Sequence, residues 1–321
     1  MSRMDFRVFS LGSNDQLAQK ISDTLGVELG QIACKAFSDG EQHVQFLENL
    51  RGKHVFLVQP TPPPAENWIR LFLAIDAARG ASASEVTCVV PYFGYGRQDK
   101  KSHPREPISA RVFATIVETL GARRFLTMDL HNDAIVGYFR HAIADNLLAR
   151  RVFIPHFRKF FDKALADDDF VIVSPDVGGV ARAQSYAKRL MKDAELAIIH
   201  KERTMPNKVS RMKLIGDVKD KITLIVDDMA DTCGTLSAAA KLLSESGARE
   251  VYACATHGLL SGSANTVIDD SPIKKLFISD TISTDRNLSS KIEVVSVAEV
   301  FGTAIRRIEG GESLSELFET E

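Results

Sequence analysis

An α/β fold with parallel sheets wound on both faces is what this sequence predicts, and two observations carry that expectation. Short apolar runs rich in β-branched residues alternate with amphipathic stretches of helical period, and the same order recurs in both halves of the chain. The length, 321 residues, is more than one ordinary core needs and suits two domains of roughly 150 residues each.

The elements follow in order. Residues 54–59 (HVFLVQ) read as a buried strand, 66–79 as a helix and 85–91 (EVTCVVP) as the next strand. A polar loop at 92–107 leads to a helix at 109–120 and a strand at 124–129. The second half repeats the grammar, with strands at 170–174, 196–200, 222–227 and 250–256 and helices between them. A boundary near Arg150, before a helical stretch at 155–165, divides the chain into domains 1–149 and 150–321. The segments HVFLVQP…IDAARGASASEVTCVVPYFGYG and ITLIVDD…AKLLSESGAREVYACATHGLLSG share one plan of strand, loop, helix ending at Gly-Ala and strand, as a duplication would give.

Composition removes several classes of function. Lysine and arginine number 40 against 42 acids, a net charge of −2, so bulk nucleic-acid binding is not expected. No apolar run reaches the about 18 residues of a membrane span, and the first residues lack a secretory hydrophobic segment. Cys34, Cys88, Cys233 and Cys254 are scattered without a CxxC, which points away from disulfides or a zinc site and towards a cytoplasmic chain.

Chemistry concentrates where strands stop, because open α/β sheets bind ligands outside the carboxyl ends of their strands. In LIVDDMADTCGTLSAAAKLL an apolar strand ends at Asp227 and Asp228, and Asp231-Thr232-Cys233-Gly234-Thr235 opens a helix. Threonine hydroxyls, a glycine that lets the backbone turn and helix N-terminal amides make an anion cradle. The carboxylates suit vicinal hydroxyls, and phosphate beside diol suggests a pentose 5-phosphate. No Walker loop or GxGxxG is present; Gly94 and Gly96 are followed instead by Arg97-Gln98-Asp99-Lys100-Lys101. Alone that is a solvated loop; flanked by Tyr92, Phe93 and Tyr95 it offers cations for polyphosphate and aromatic surface for a base. Phe37-Ser38-Asp39-Gly40-Glu41 adds an aromatic and two acids, or is a plain Ser-Asp-Gly turn. His131 and Asp176 each follow a strand, and an imidazole with a carboxylate suits Mg²⁺, which takes few protein ligands. Lys201 and Arg203 open a polar stretch through Lys213 whose composition predicts a mobile loop, able to bring cations onto a transferring group.

In order along nearly the whole chain, FSDGE, IDAARGASA, PYFGYGRQDKK, MDLH, SPDVGG, HKER, VDDMADTCGT, ATHGLLSG and GESLSELF resemble the ribose-phosphate diphosphokinases. The resemblance implies two type I phosphoribosyltransferase-like domains, the first with ATP-site loops and the second with the ribose 5-phosphate site and catalytic loop. It implies ATP and ribose 5-phosphate as substrates, Mg²⁺, and a homo-oligomer with a hexamer built from dimers as its expected form. Position by position, Phe37, Asp39 and Glu41 match adenine contacts supplied by a neighbouring subunit, and Arg97 and Gln98 match an ATP-binding pair beside Asp99 and Lys100. His131, next to that ATP site, and Asp176 match the magnesium-linked positions; Lys201 and Arg203 match the catalytic pair. Asp227, Asp228 and Asp231 through Thr235 match the ribose 5-phosphate site. Arg51, Arg105, Ser313 and Ser315 remain of the family's effector site, but Asn49-Leu50 and Ser102-His103-Pro104 depart from its usual pattern, which puts regulation in question. Two other readings stay open: an ordinary phosphoribosyltransferase, which shares the 227–235 loop, and a catalytically silent regulatory subunit.

Overall fold

The structure is a computed structural model that describes residues 5–191, 196–205 and 208–318; the side chains of 201–211 are outside the described residues. It divides into two compact units, one of residues 5–148, 281–283 and 296–318 and one of 149–280 and 284–295.

The first unit opens with β1 (Phe6–Ser10), α1 (Asp15–Leu25), the pair β2 (Ile32–Ala36) and β3 (Gln42–Phe46), and β4 (His54–Val58). It continues through α2 (Glu66–Gly80), β5 (Glu85–Val90), α3 (Ser109–Leu120), β6 (Arg124–Met128), a 3₁₀ turn at Asp133–Tyr138 and β7 (Ile143–Leu147). Its five-stranded sheet runs β1-β4-β5-β6-β7, every neighbour parallel. Local chemistry sets the ends of α1: the Asn14 side chain accepts the Leu17 N–H at 3.1 Å, and Gly26 takes the left-handed φ of 71° that a helix stop favours. Trp68 and Leu71 of α2 pack with Phe9, Leu57 and Phe125 of the sheet into one core. Trp68 meets Phe93 edge-on at 5.2 Å and Phe113 at 4.7 Å, so the loop after β5 is anchored by aromatic packing.

The second unit comprises α4 (Arg150–Phe160), α5 (Asp162–Ala166), β8 (Phe170–Ser174), α6 (Val180–Leu190), β9 (Leu196–Met205), β10 (Lys208–Ile215), β11 (Ile222–Ala230), α7 (Gly234–Glu245), β12 (Glu250–Gly258), α8 (Ala264–Asp269), β13 (Ile273–Ser279) and β14 (Ile292–Val295). Its sheet is ordered β10-β9-β8-β11-β12-β13-β14, parallel throughout except where β10 runs antiparallel to β9. The units β4-α2-β5 and β11-α7-β12 share one plan, and each second strand enters at a glutamate, Glu85 opposite His54 and Glu250 opposite Ile222.

Three expectations are corrected. The polar stretch from Lys201 is not a loop in its backbone: β9 and β10 form an antiparallel ribbon in which Lys201 pairs with Met212 and Arg203 with Val209. Composition misled because charged and polar residues dominate the stretch, and only Arg211-Met212-Lys213-Leu214 alternates as a strand should. The helix expected at 155–165 starts at Arg150 and contains Pro155, then breaks before Asp162. Finally, α9 (Ala298–Gly310) and α10 (Ser315–Phe318) belong to the first unit, where α9 packs on α1, so the second domain does not run unbroken to the C-terminus. No helix among the described residues is long and apolar enough to cross a membrane.

Candidate active site

At the carboxyl end of the second sheet, β11 runs past its expected stop at Asp227 to Ala230, because β12 continues to pair with it through Met229 opposite His257 and Ala230 opposite Gly258. The following turn is fastened from outside. Leu260 N–H donates to the Ala230 carbonyl and Ser261 N–H to that of Asp231, each at 2.9 Å. The left-handed residue here is Cys233, with φ 61°, and not Gly234 as the sequence suggested. Cys233 is buried, with Sγ 3.9 Å from the Asp231 carbonyl, so packing holds a conformation that a free side chain avoids. Burial, then the charge of Asp231, pushes its thiol up to about 11, which makes it a spacer and not a nucleophile. No side chain caps α7, and Thr232, Gly234 and Thr235 are exposed, leaving hydroxyls and first-turn amides open to an anion.

The two carboxylates before this turn are crowded. Asp228 N–H donates to Asp227 Oδ1 at 2.9 Å, and their side chains are 19% and 6% exposed. Burial above all, and then the neighbouring charge of Asp228, raise the Asp227 carboxyl well above the usual carboxylate range. Arg182 opposes this, with Nη1 3.7 Å from Asp227 Oδ1 and 3.4 Å from Asp228 Oδ1. Sequence reasoning missed Arg182, whose only local sign is its place in the first turn of the helix after SPDVGG.

That SPDVGG turn, between β8 and α6, is self-supporting. Ser174 Oγ donates to the Asp176 carbonyl at 2.7 Å, and Gly179 N–H donates to Asp176 Oδ1 at 2.9 Å. A Cβ on Gly179 would come 3.0 Å from Ser174 Oγ, a contact tight enough that the hydroxyl would have to give.

In the first unit Tyr92 and Phe93 are buried and Gly94 lies against the Thr61 carbonyl, 1.9 Å from where a Cβ would be. Arg97, Gln98 and Lys100 are exposed, and Gln98 Oε1 accepts the Ser109 hydroxyl at the start of α3. Asp99 departs from its expected place among the ligand-facing residues. It is 8% exposed, takes the Asn132 amide on its carboxylate and the Tyr138 hydroxyl on its carbonyl. It thus ties the basic loop to the segment carrying His131, which is exposed just after β6. Phe37, Asp39 and Glu41 sit at the exposed tip of the β2–β3 ribbon. There Phe37 N–H donates to the Glu41 carbonyl at 2.8 Å, and Gly40 takes φ 95°, a true Ser-Asp-Gly turn. Among the described residues no three His, Cys, Asp or Glu side chains are grouped as a closed metal site requires.

Around the candidate effector positions, Leu50 is 1% exposed in the core, while Asn49 Oδ1 accepts the Arg51 N–H at 3.0 Å. Ser313 and Ser315 hydrogen-bond each other at 2.8 Å. Arg105 is exposed with φ 70° in a loop whose Ser102 and His103 amides both donate to Glu106 at 2.9 Å.

The comparisons with known proteins bear on the whole of this arrangement. Residues 6–121 match the model of the N-terminal domain of ribose phosphate pyrophosphokinase, and 202–319 match the phosphoribosyl synthetase-associated domain. Ribose-phosphate pyrophosphokinase 1 of Spinacia oleracea is 45% identical over 315 residues, covering 98% of this chain and 92% of that protein. Ribose-phosphate pyrophosphokinase 2 of Schizosaccharomyces pombe is 43% identical over 321 residues, covering 99% and 98%. The crystal structure of phosphoribosylpyrophosphate synthetase from Mycobacterium smegmatis superposes with a TM-score of 0.89 at 33% identity, over 96% of this chain and 99% of that one. With the paired parallel sheets, the open loop at α7 and near-complete coverage of such relatives, the chain belongs to the ribose-phosphate pyrophosphokinase family of enzymes, whose reaction makes phosphoribosyl diphosphate.

Proposed function

We propose that this enzyme transfers the β,γ-diphosphoryl group of ATP to the anomeric hydroxyl of ribose 5-phosphate, giving 5-phosphoribosyl 1-diphosphate and AMP. The observation that carries the reading is the juxtaposition of a crowded carboxylate pair, Asp228 buried and Asp227 partly so, with an uncapped helix N-terminus at the end of β11. The 5-phosphate sits on the amides and hydroxyls of Thr232, Gly234 and Thr235, and Asp227 and Asp228 accept the ribose hydroxyls. ATP is held by Arg97, Gln98 and Lys100 on its phosphates and by Phe37, Asp39 and Glu41 of a neighbouring subunit on its base. Asp99 supports this loop from behind. The chain works as a homo-oligomer.

The anomeric oxygen attacks the β-phosphorus in line; the bond to the α–β bridging oxygen breaks, AMP departs, and the hydroxyl proton is lost as the new O–P bond forms. Nothing becomes covalently attached to the protein, because such transfers rest on positioning and charge. Lys201 and Arg203 bring cations to the transferring group. Enzymes of this family need a metal ion, and Mg²⁺, which takes oxygen donors, would be held through the Asp176 carboxylate in the second unit, with phosphate oxygens and water completing its shell; the His131 imidazole, in the first unit, is the weaker donor for such an ion. When bound it would neutralise phosphate charge.

The test is AMP release from ATP with ribose 5-phosphate and without it, no nucleobase being added. Sugar-dependent AMP together with an equal amount of phosphoribosyl diphosphate is expected. Turnover that demands a nucleobase would instead make the chain an ordinary phosphoribosyltransferase.

A further inference from the structure

One guanidinium serves two acids in this site. Successive residues of a strand point to opposite faces, so Asp227 and Asp228 would normally find different partners. Here the Asp228 N–H bends the Asp227 carboxylate back over its neighbour, and Arg182 Nη1 lies within ion-pair distance of both, at 3.7 Å and 3.4 Å. The guanidinium arrives from the first turn of α6, whose start is set by the Asp176–Gly179 hydrogen bond. None of the three side chains is more than a quarter exposed: Arg182 is at 24%, Asp227 at 19% and Asp228 at 6%.

Two buried carboxylates without a cation do not both stay ionised; one takes a proton, because burial and like charge both disfavour the second anion. A protonated carboxyl gives up acceptor capacity, which is what a vicinal diol needs. We propose that Arg182 is a positioning residue of the sugar-phosphate site, holding Asp227 against Asp228 and offsetting part of the burial and like charge that favour a proton there, so that the pair keeps its acceptors for the ribose hydroxyls. This rests on the assignment of the 227–235 segment to ribose 5-phosphate.

Among the described residues, the charged groups bearing on Asp227 are Asp228 from its own strand and Arg182 from α6. β12 contributes the buried His257 opposite Met229, β8 has no titratable side chain, and Asp231 stands in the next loop. Removing the guanidinium takes away what lowers the Asp227 carboxyl and so raises it further. Binding needs Asp227 ionised, so it holds above that pKa and is lost as pH falls through it; the acid limb therefore moves to higher pH.

The experiment measures binding of ribose 5-phosphate and, separately, of ATP to the full chain from about pH 5 to 10, a range that covers a carboxyl raised well above the ordinary value of about 4. Arg182→Gln is expected to shift the acid limb for the sugar phosphate upward by about one unit or more and to weaken its binding near neutrality roughly ten-fold, with ATP unchanged. Arg182→Lys, which keeps the charge, restores most of the affinity. Arg182→Gln combined with Asp228→Asn brings the limb back down, because a single carboxylate has no like-charged neighbour. An unmoved limb, or equal loss at every pH with lysine no better than glutamine, would reduce Arg182 to packing and overturn the proposal. A shift in the ATP limb alone would leave Arg182 coupled to the pair but show that the substrate assignment is wrong. Should Arg182→Gln not fold, Arg182→Lys carries the test. A smaller upward shift that Asp228→Asn relieves supports the proposal, and an unshifted limb overturns it.

Discussion

Thr235 sits exposed in the first turn of α7, where its hydroxyl stands beside uncapped amides. Replacing it with valine keeps the shape and removes one donor to a charged phosphate, an interaction of about 1.5–3 kcal/mol. Thr235→Val is therefore expected to raise KM for ribose 5-phosphate by roughly ten-fold or more while KM for ATP stays put. Initial rates with each substrate varied in turn decide it, and a selective rise for ATP would exchange the two sites. At this scale the sequence was legible where structure is local: that Asp227, Asp228 and the 231–235 turn lie together between a strand and a helix was readable from their spacing. It was illegible where partners are distant. Nothing near Arg182 announces acids 46 residues away, and nothing in RQDKK says that Asp99 turns inward to Asn132, 33 residues on. The left-handed φ fell on Cys233 because outside hydrogen bonds at Ala230 and Asp231 set the turn, overriding the preference that pointed to Gly234.

The 102–106 loop shows how an element's own bonding limits what it can bind. Glu106 already accepts the Ser102 and His103 amides and His103 Nδ1 at 2.9 Å, and those hydrogen bonds, the His103 amide first, lower its carboxyl pKa. A carboxylate thus occupies donors that a bound phosphate would want, and Pro104 has no N–H to add. Across the candidate effector positions Leu50 is committed to the core, Asn49 to the Arg51 backbone and Ser313 to Ser315. Only the Arg51 and Arg105 guanidiniums keep the character of an anion site. Activity is therefore expected to need little inorganic phosphate, and ADP to inhibit only in competition with ATP. Initial rates at saturating ATP, with phosphate raised from near zero to about tens of millimolar, where weak anion sites fill, give the measurement. Strong sigmoidal activation by phosphate, with ADP inhibition that ATP cannot relieve, would sink this expectation. Elsewhere the strands were readable as short apolar runs between stretches of helical period, whereas the β9–β10 ribbon was hidden because polar composition outweighed a short alternating pattern.

For the whole molecule, local pattern says that a segment is an amphipathic helix but not which core receives it. The chain after Val295 looks like the end of the second domain, yet α9 crosses into the first unit. Three contacts there explain the choice. Arg306 Nη2 donates to the Thr24 carbonyl at 2.6 Å, Glu309 pairs with His54, and Gly302 lets α9 approach α1 so closely that a Cβ would lie 2.7 Å from Thr24 Cγ2. A glycine inside a helix costs roughly 0.5–1 kcal/mol relative to alanine, so its place here is a requirement of packing and not of the helix itself. Gly302→Val puts a branched side chain into that gap and forces the helices apart, at about 1–3 kcal/mol as overpacking usually costs. The loss should fall on the first unit. In native-state hydrogen exchange, peptides from α1, β1 and β4 are expected to lose protection by about that amount while those from β11 and β12 keep theirs, since local openings report the stability of their own cooperative unit. Loss of protection in β11 and β12 with α1 unchanged would mean that α9 belongs energetically to the second unit, whatever its contacts.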